Sequence, residues 1–217
     1  MLILLISYTS TLFMFMAINR MRPGVITYHQ MEQNNFRLFN YLHTVIIMIM
    51  LLPAFFIRSI PVFLLSFPDK ISIDQALTFL ISFGLIGFFP WKKFSGQGVN
   101  DRNISSPIIP VIFYTFLRVV FLIVYEWFFR GLLLITISAW MGIDWGIIIN
   151  IVLYTILNSH KSKKERIGCI PLGLLLCVFT IWWQSIWPAI IFHLEIAILN
   201  EWPPLQQIIS PQKQTVP

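Results

Sequence analysis

The sequence has few charged residues, and this deficit excludes the usual soluble protein classes. Only 11% of the 217 residues are charged, whereas 57% are hydrophobic. Soluble domains carry about 25% charged residues. Several apolar runs of roughly 18 to 20 residues are long enough to cross a bilayer as helices. The composition therefore predicts an all-α, polytopic transmembrane helical bundle.

Cysteine is also scarce, with only two residues of this type, Cys169 and Cys177. They lie eight residues apart in one predicted helix, which places them about 12 Å apart along its axis. Side chains at that separation cannot form a disulfide without unwinding of the helix. We therefore expect two buried, unreactive thiols rather than a disulfide framework.

The familiar hydrolase motifs are absent too. The chain contains no HExxH motif, and no serine or cysteine stands beside an evident base. A metallopeptidase helix of that type and a serine or cysteine triad are therefore not indicated by the sequence.

The net charge of +6 does not indicate a nucleic-acid partner. The basic residues stand in short clusters between the apolar runs, which is typical of cytoplasmic loops of membrane proteins. We expect these clusters to face acidic lipid headgroups, and we predict no nucleic-acid partner.

About seven membrane spans fit the apolar runs. The fourth has more than 30 residues and would reach about 50 Å as a helix, against a hydrocarbon core of about 30 Å, so it must tilt, break or continue along the interface. We predict a single integral membrane domain over residues 1–202 and a polar C-terminal tail over 203–217. The predicted spans are residues 2–19, 39–57, 75–91, 107–141, 144–160, 167–184 and 186–202.

The distribution of Lys and Arg predicts the orientation. If the N-terminus lies outside, eleven basic loop residues fall on the inside and two on the outside, a bias typical of the true orientation. We therefore predict a multi-pass protein with a cytoplasmic C-terminus. The eleven are Arg20, Arg22, Arg37, Lys92, Lys93, Arg102, Lys161, Lys163, Lys164, Arg166 and Lys213, and the two are Arg58 and Lys70.

Ionisable residues at membrane depth are the candidate functional residues, because each costs about 2.5 to 3.5 kcal/mol to insert near the bilayer centre. Glu126 and Arg130, in "YEWFFRGLLL", are four residues apart and share a helix face. They form either a structural ion pair or a positioned carboxylate. His160 ends the fifth span, where histidines are usually interfacial. His193 lies in the middle of the last span and needs a hydrogen-bond partner on another helix.

Three predicted helices thus each offer one group that can handle protons. A carboxylate and two imidazoles from Glu126, His160 and His193 can polarise a water molecule and carry its proton. The same three side chains could bind zinc with one open position, so no cofactor is certain and zinc is a possible one.

The motifs around these residues resemble the CPBP family, which includes CAAX prenyl endopeptidases and bacteriocin-processing, immunity and lysostaphin-resistance-type proteins. The family pattern is Glu-Glu-x-x-x-Arg, then Phe-x-x-x-His, then His-x-x-x-Asn or Asp. In residues 107–202, Glu126 and Arg130 match the first motif, His160 matches the second, and His193 in "SIWPAIIFHLEIA" matches the third.

Two departures from the pattern concern catalysis. Tyr125 stands where the family has its first glutamate, which the resemblance implies activates water, and a phenol with a pKa of about 10 is a poor base. Ala197 stands where an Asn or Asp would help to hold the oxyanion or the histidine. A missing general base costs about 10²–10⁴-fold and a missing oxyanion donor about 10²–10³-fold. Tyr125 and Glu126 point about 100° apart on a helix, so we expect Glu126 not to replace the first glutamate without rotation.

The resemblance implies an intramembrane endopeptidase that cleaves a membrane-associated or lipidated peptide. Glu126 would act as the base, His160 and His193 would orient water and stabilise the oxyanion, and Arg130 would anchor Glu126. The alternative is a catalytically inactive scaffold that binds another membrane protein or confers immunity or resistance. A small transporter is a weaker alternative, because the chain shows no repeat and no pair of broken helices. Membrane lipid is a partner in each case.

Overall fold

The computed structural model describes residues 1–21, 35–56, 65–68, 70–94, 108–159 and 161–209. Every regular element in those ranges is helical, so the predicted all-α class is confirmed. The helices are α1 (Leu2–Met21), α2 (Asn35–Leu51), α3 (Ile73–Phe94), α4 (Ile108–Glu126), α5 (Leu134–Met141), α6 (Ile143–Leu157), α7 (Lys163–Trp183) and α8 (Trp187–Ile209). A 3₁₀ turn, Leu52–Phe55, follows α2.

The long fourth apolar run is continuous rather than broken. A π-helical segment, Trp127–Leu133, joins α4 to α5, so residues 108–141 form one helical run. Gly142 then turns the chain sharply into α6 with a φ of 90°, a conformation that glycine adopts without strain. The run therefore has a local change of helix type in its middle, next to Glu126 and around Arg130, two of the candidate residues that the sequence indicated.

Within the described ranges, two helical stretches are long and apolar enough to cross a membrane, namely Ile112–Met141 and Lys163–Trp183. Four further described helices carry shorter apolar stretches, so the predicted number of about seven spans is not confirmed.

The start of α7 is determined by a local sequence motif. α7 begins with a capping box, in which Ser162 and Glu165 each bond the other's backbone N–H, directly after the basic loop.

The run from α4 to α5 lies at the centre of the bundle. α4 packs against α2 and α8, α5 packs against α6, and α6 packs against α7. Nearly all side chains from Phe121 to Leu134 are buried. α8 continues to Ile209, into the first residues of the predicted polar tail, and residues 210–217 lie outside the described ranges. This arrangement encloses Glu126 and Arg130 between α6 and α8.

Candidate active site

The π-helical segment and the residue before it carry the two charged side chains of the candidate site, Arg130 and Glu126. Glu126 is the last residue of α4, and all seven residues of the segment that follows are buried. At the end of the segment the Leu134 N–H donates to the Phe129 carbonyl oxygen, five residues back, instead of four as in an α-helix. Short π-helical insertions of this kind occur frequently at functional sites. The backbone thus gives Phe129 and Arg130 a register that a regular helix would not provide.

Glu126, Arg130 and His193 come together in this region. His193 Nδ1 lies 2.5 Å from Glu126 Oε1, and Arg130 Nη1 lies 3.3 Å from the same oxygen and 3.2 Å from Oε2. The side chains of Glu126 and Arg130 are fully buried, whereas that of His193 is 12% exposed. The partner predicted for His193 on another helix is therefore Glu126, and the carboxylate lies between a guanidinium and an imidazole.

Aromatic rings enclose the three groups. The Arg130 guanidinium carbon lies 4.7 Å from the centre of the Tyr154 ring and 5.7 Å from that of Phe129. The Tyr125 ring stacks on Phe129 and meets the His193 ring edge-on at 5.6 Å. A site walled in this way has little water, so electrostatic interactions within it are stronger than in solution.

Tyr125 and Glu126 both contact His193, although they lie on adjacent faces of α4. Glu126 reaches the imidazole through its carboxylate, and Tyr125 reaches it through its ring. The Tyr125 hydroxyl accepts a hydrogen bond from Asn158 Nδ2 at 3.3 Å. The Tyr125 phenol therefore lines the site, and its hydroxyl is held by Asn158 at the end of α6.

α6 and its C-cap residue contribute three site residues that sequence reasoning missed: Asn150, Tyr154 and Asn158. We call them the α6 polar face. All three are buried, and each contacts the run from α4 to α5: Asn150 bonds the Phe129 carbonyl, Tyr154 covers Arg130, and Asn158 bonds Tyr125. The available signal was their spacing of four residues in a mostly apolar stretch, which puts them on one face of a helix.

The remaining predicted site residues are placed differently. His160 lies outside the described residues. Ala197, one turn after His193 on α8, is buried and lines a cavity of about 70 Å³. Further along the same cavity, Arg118 Nε donates to Glu201 Oε1 at 2.9 Å. The position where the family carries an Asn or Asp therefore offers only a methyl group here.

Zinc held by Glu126, His160 and His193 stays a prediction. In the part of the chain that the structure describes, no three His, Cys, Asp or Glu side chains cluster closely enough to hold a metal ion. Two of the three predicted ligands do meet, but His193 Nδ1 and Glu126 Oε1 bond each other.

Replacing Tyr125 with Phe should lower the stability by about 1 kcal/mol, because it removes the hydroxyl that accepts from the buried Asn158 side chain. The ring contacts with Phe129 and His193 would stay. Thermal unfolding in detergent would measure the loss. Tyr41 is 65% exposed, so Tyr41→Phe serves as the matched control and should leave the unfolding temperature unchanged. Equal behaviour of the two variants would show that the bond to Asn158 contributes nothing.

Comparison with known proteins identifies one family. Residues 106–199 match the family described as "Type II CAAX prenyl endopeptidase Rce1-like", which confirms the resemblance to the CPBP family in this part of the chain. The matched residues include all of α4, the π-helical segment, α6 and His193. Comparisons with curated proteins and with solved structures gave no match. Members of the matched family are integral membrane proteins, in agreement with the two apolar helices that could span a membrane.

Proposed function

We propose that the protein is a CAAX-type intramembrane endopeptidase in which His193 and Glu126 activate the attacking water. The single observation that carries the proposal is the 2.5 Å contact between His193 Nδ1 and Glu126 Oε1 inside the buried bundle. An ion pair placed only for stability would be complete with Glu126 and Arg130. The additional imidazole, brought from α8, adds a group that can both accept and donate a proton.

The burial of the two groups favours a division of their roles. The Glu126 side chain is fully enclosed, whereas the His193 side chain retains 12% exposure. The imidazole is thus the more accessible of the two groups, and we propose that it contacts the attacking water. Glu126, bonded to Nδ1, fixes the ring orientation and stabilises the imidazolium, and Nε2 accepts the proton. This assigns to His193 the role of base that the sequence motifs gave to Glu126.

The reaction is hydrolysis of a peptide bond. His193 Nε2 removes a proton from water while the water oxygen bonds to the scissile carbonyl carbon, which gives a tetrahedral oxyanion. The oxyanion then reforms the carbonyl as the C–N bond breaks, and the imidazolium returns the proton to the leaving nitrogen. His160 is our proposed second imidazole, which orients the water or contacts the oxyanion. The substrate is a membrane-associated or lipidated peptide.

Arg130 acts on the reaction through Glu126. Its guanidinium holds both carboxylate oxygens within 3.3 Å and is itself fixed over the Tyr154 ring. A carboxylate restrained in this way cannot turn from His193 without loss of a buried charge pair. We propose that Arg130 keeps the Glu126 carboxylate aimed at Nδ1.

Purified protein in liposomes should cleave a membrane-tethered fluorogenic peptide, and His193→Ala should lower the rate about 10²–10⁴-fold because the base is lost. Asp144→Asn is the control, since this carboxylate is exposed at the start of α6, away from the site. It should cleave at the rate of the unmodified protein. Cleavage by His193→Ala at the unmodified rate would refute the proposed mechanism.

The second candidate function is a catalytically inactive scaffold that binds a membrane partner or confers immunity or resistance. Two observations favour it: Tyr125 fills the wall where a carboxylate would activate water, and Ala197 provides no polar group one turn after His193. A membrane protein partner recovered by cross-linking, with full biological function retained in His193→Ala, would favour the scaffold. Loss of that function together with peptide cleavage would favour the peptidase.

A further inference from the structure

Asn150 occupies an unusual position for an amide side chain. It lies in the middle of the apolar helix α6 and is fully buried. Its Nδ2 donates to the Phe129 carbonyl oxygen at 2.7 Å, and its Oδ1 lies 3.4 Å from Cys177 Sγ, which donates to it. A buried amide is costly unless both of its ends are hydrogen-bonded. Here one end is bonded to the π-helical segment and the other to α7.

Asn150 bonds the Phe129 carbonyl oxygen, and at this oxygen the backbone hydrogen bonds of the helix change from the α to the π pattern. In an α-helix the Phe129 oxygen would accept from residue 133, but here it accepts from the Leu134 N–H. A carbonyl oxygen can accept two hydrogen bonds, and Asn150 supplies the second one. A return of the segment to α-helical register would move this carbonyl relative to α6. The bond from Asn150 therefore favours the π-helical register.

That register determines where the charged side chains lie. Glu126 directly precedes the segment, and Arg130 directly follows Phe129 within it. Arg130 reaches the Glu126 carboxylate and lies over Tyr154, which stands one turn after Asn150 on the same face of α6. A shift of the segment by one residue would remove Arg130 from between Tyr154 and Glu126, and Glu126 would lose the restraint that aims it at His193.

We propose that Asn150 is a positioning residue of the active site. It holds the Phe129 carbonyl, fixes the π-helical segment in register and so keeps Glu126 and Arg130 aligned with His193. It contacts none of the proposed reacting atoms itself. The inference rests on the proposed function for its kinetic consequences, whereas its structural consequence, the state of the His193 ring, can be measured without any cleavage.

Kinetic measurements on liposomes form the first test. Asn150→Leu removes the donor but keeps a buried side chain of similar size, and it should lower kcat about 10-fold or more with KM changed less than about threefold, because only the alignment of the reacting groups is lost. Cys177→Ala is the matched control. It removes the other partner of Asn150 and leaves the donor to Phe129, so its kcat should fall by less than about threefold.

The second test observes the His193 ring directly. The chain has four histidines, so ¹⁵N-histidine labelling gives few signals, and His193→Ala identifies the one of interest. The His193 Nδ1 signal depends on its bond to Glu126, and Glu126→Gln supplies the spectrum of the altered state. Asn150→Leu should move this signal toward that of Glu126→Gln, whereas Cys177→Ala should leave it in place.

The outcomes separate the inference from the proposed function. If the unmodified protein does not cleave the peptide, the proposed function fails and the His193 signal alone decides the role of Asn150. If Asn150→Leu does not fold, Asn150→Ala takes its place, because it removes the amide donor without adding bulk or a buried charge. A variant of either kind that folds and keeps both the unmodified His193 signal and the unmodified kcat would overturn the inference.

Discussion

Glu126→Gln should abolish cleavage and also destabilise the protein, and these two effects should be separable. Cleavage should fall about 10²–10⁴-fold, since a neutral amide cannot stabilise the imidazolium that forms at His193. Stability should fall by about 3–5 kcal/mol, because Arg130 is fully buried and would keep its charge without the carboxylate. Peptide cleavage on liposomes and thermal unfolding in detergent measure the two quantities.

The control is the double variant Glu126→Gln/Arg130→Met. Methionine retains an unbranched apolar side chain beside Tyr154 and removes the unpaired charge. The double variant should therefore recover most of the lost stability and none of the lost cleavage. Arg130→Met alone should also be destabilised, since it leaves the Glu126 carboxylate buried with only His193 as a partner.

Recovery of cleavage in the double variant would contradict the proposed mechanism. In that case the carboxylate would serve only to neutralise Arg130, and the inactivity of Glu126→Gln would reflect unfolding. Cleavage by Glu126→Gln at the unmodified rate would lead to the same conclusion. The pair of variants thus distinguishes a catalytic carboxylate from a structural ion pair, which were the two interpretations that the sequence left open.

The fold and part of the site could be predicted because they depend on local patterns. Apolar runs of sufficient length marked the helices, and the i, i+4 spacing of Glu126 and Arg130 marked their pairing. The contact between Glu126 and His193 joins residues 67 apart and depends on how α4 and α8 pack. The position of His193 in an apolar helix indicated that its side chain needs a hydrogen-bond partner. That partner could be identified only from the tertiary structure.

The π-helical segment could not be predicted from the sequence. Arg130 and Gly131 in "WFFRGLL" do not by themselves indicate a π-helical turn, and the Phe129 carbonyl is bonded by Asn150, 21 residues away. The division of roles that we propose between Glu126 and His193 could not be predicted either, because the sequence does not indicate that Glu126 is fully enclosed whereas His193 is partly exposed. The spacing of four residues between Asn150, Tyr154 and Asn158 could have been recognised in the sequence. It would have indicated residues that position the reacting groups rather than the reacting groups themselves.

Gly146→Ala should destabilise the protein and lower cleavage, although alanine ordinarily favours a helix. Gly146 lies one turn before Asn150, where α6 packs against Ser138 of α5. A Cβ atom there would lie 2.0 Å from Ser138 Oγ, 3.0 Å from Ser138 Cβ and 3.1 Å from Ser138 Cα. Rotation of the hydroxyl can relieve the first contact, but the other two involve fixed atoms, so the helices must separate.

The expected net loss is about 1–3 kcal/mol, typical of overpacking, or about 2–12 °C in Tm. Gly168→Ala is the matched control, because a Cβ on that glycine of α7 meets nothing within 4 Å. It should be neutral or slightly stabilising. Because displacement of α6 would carry Asn150 away from the Phe129 carbonyl, cleavage by Gly146→Ala should fall as well. Ser138→Gly added to Gly146→Ala should restore part of both losses, whereas a Gly146→Ala protein as stable as Gly168→Ala would show that α5 and α6 do not approach as described.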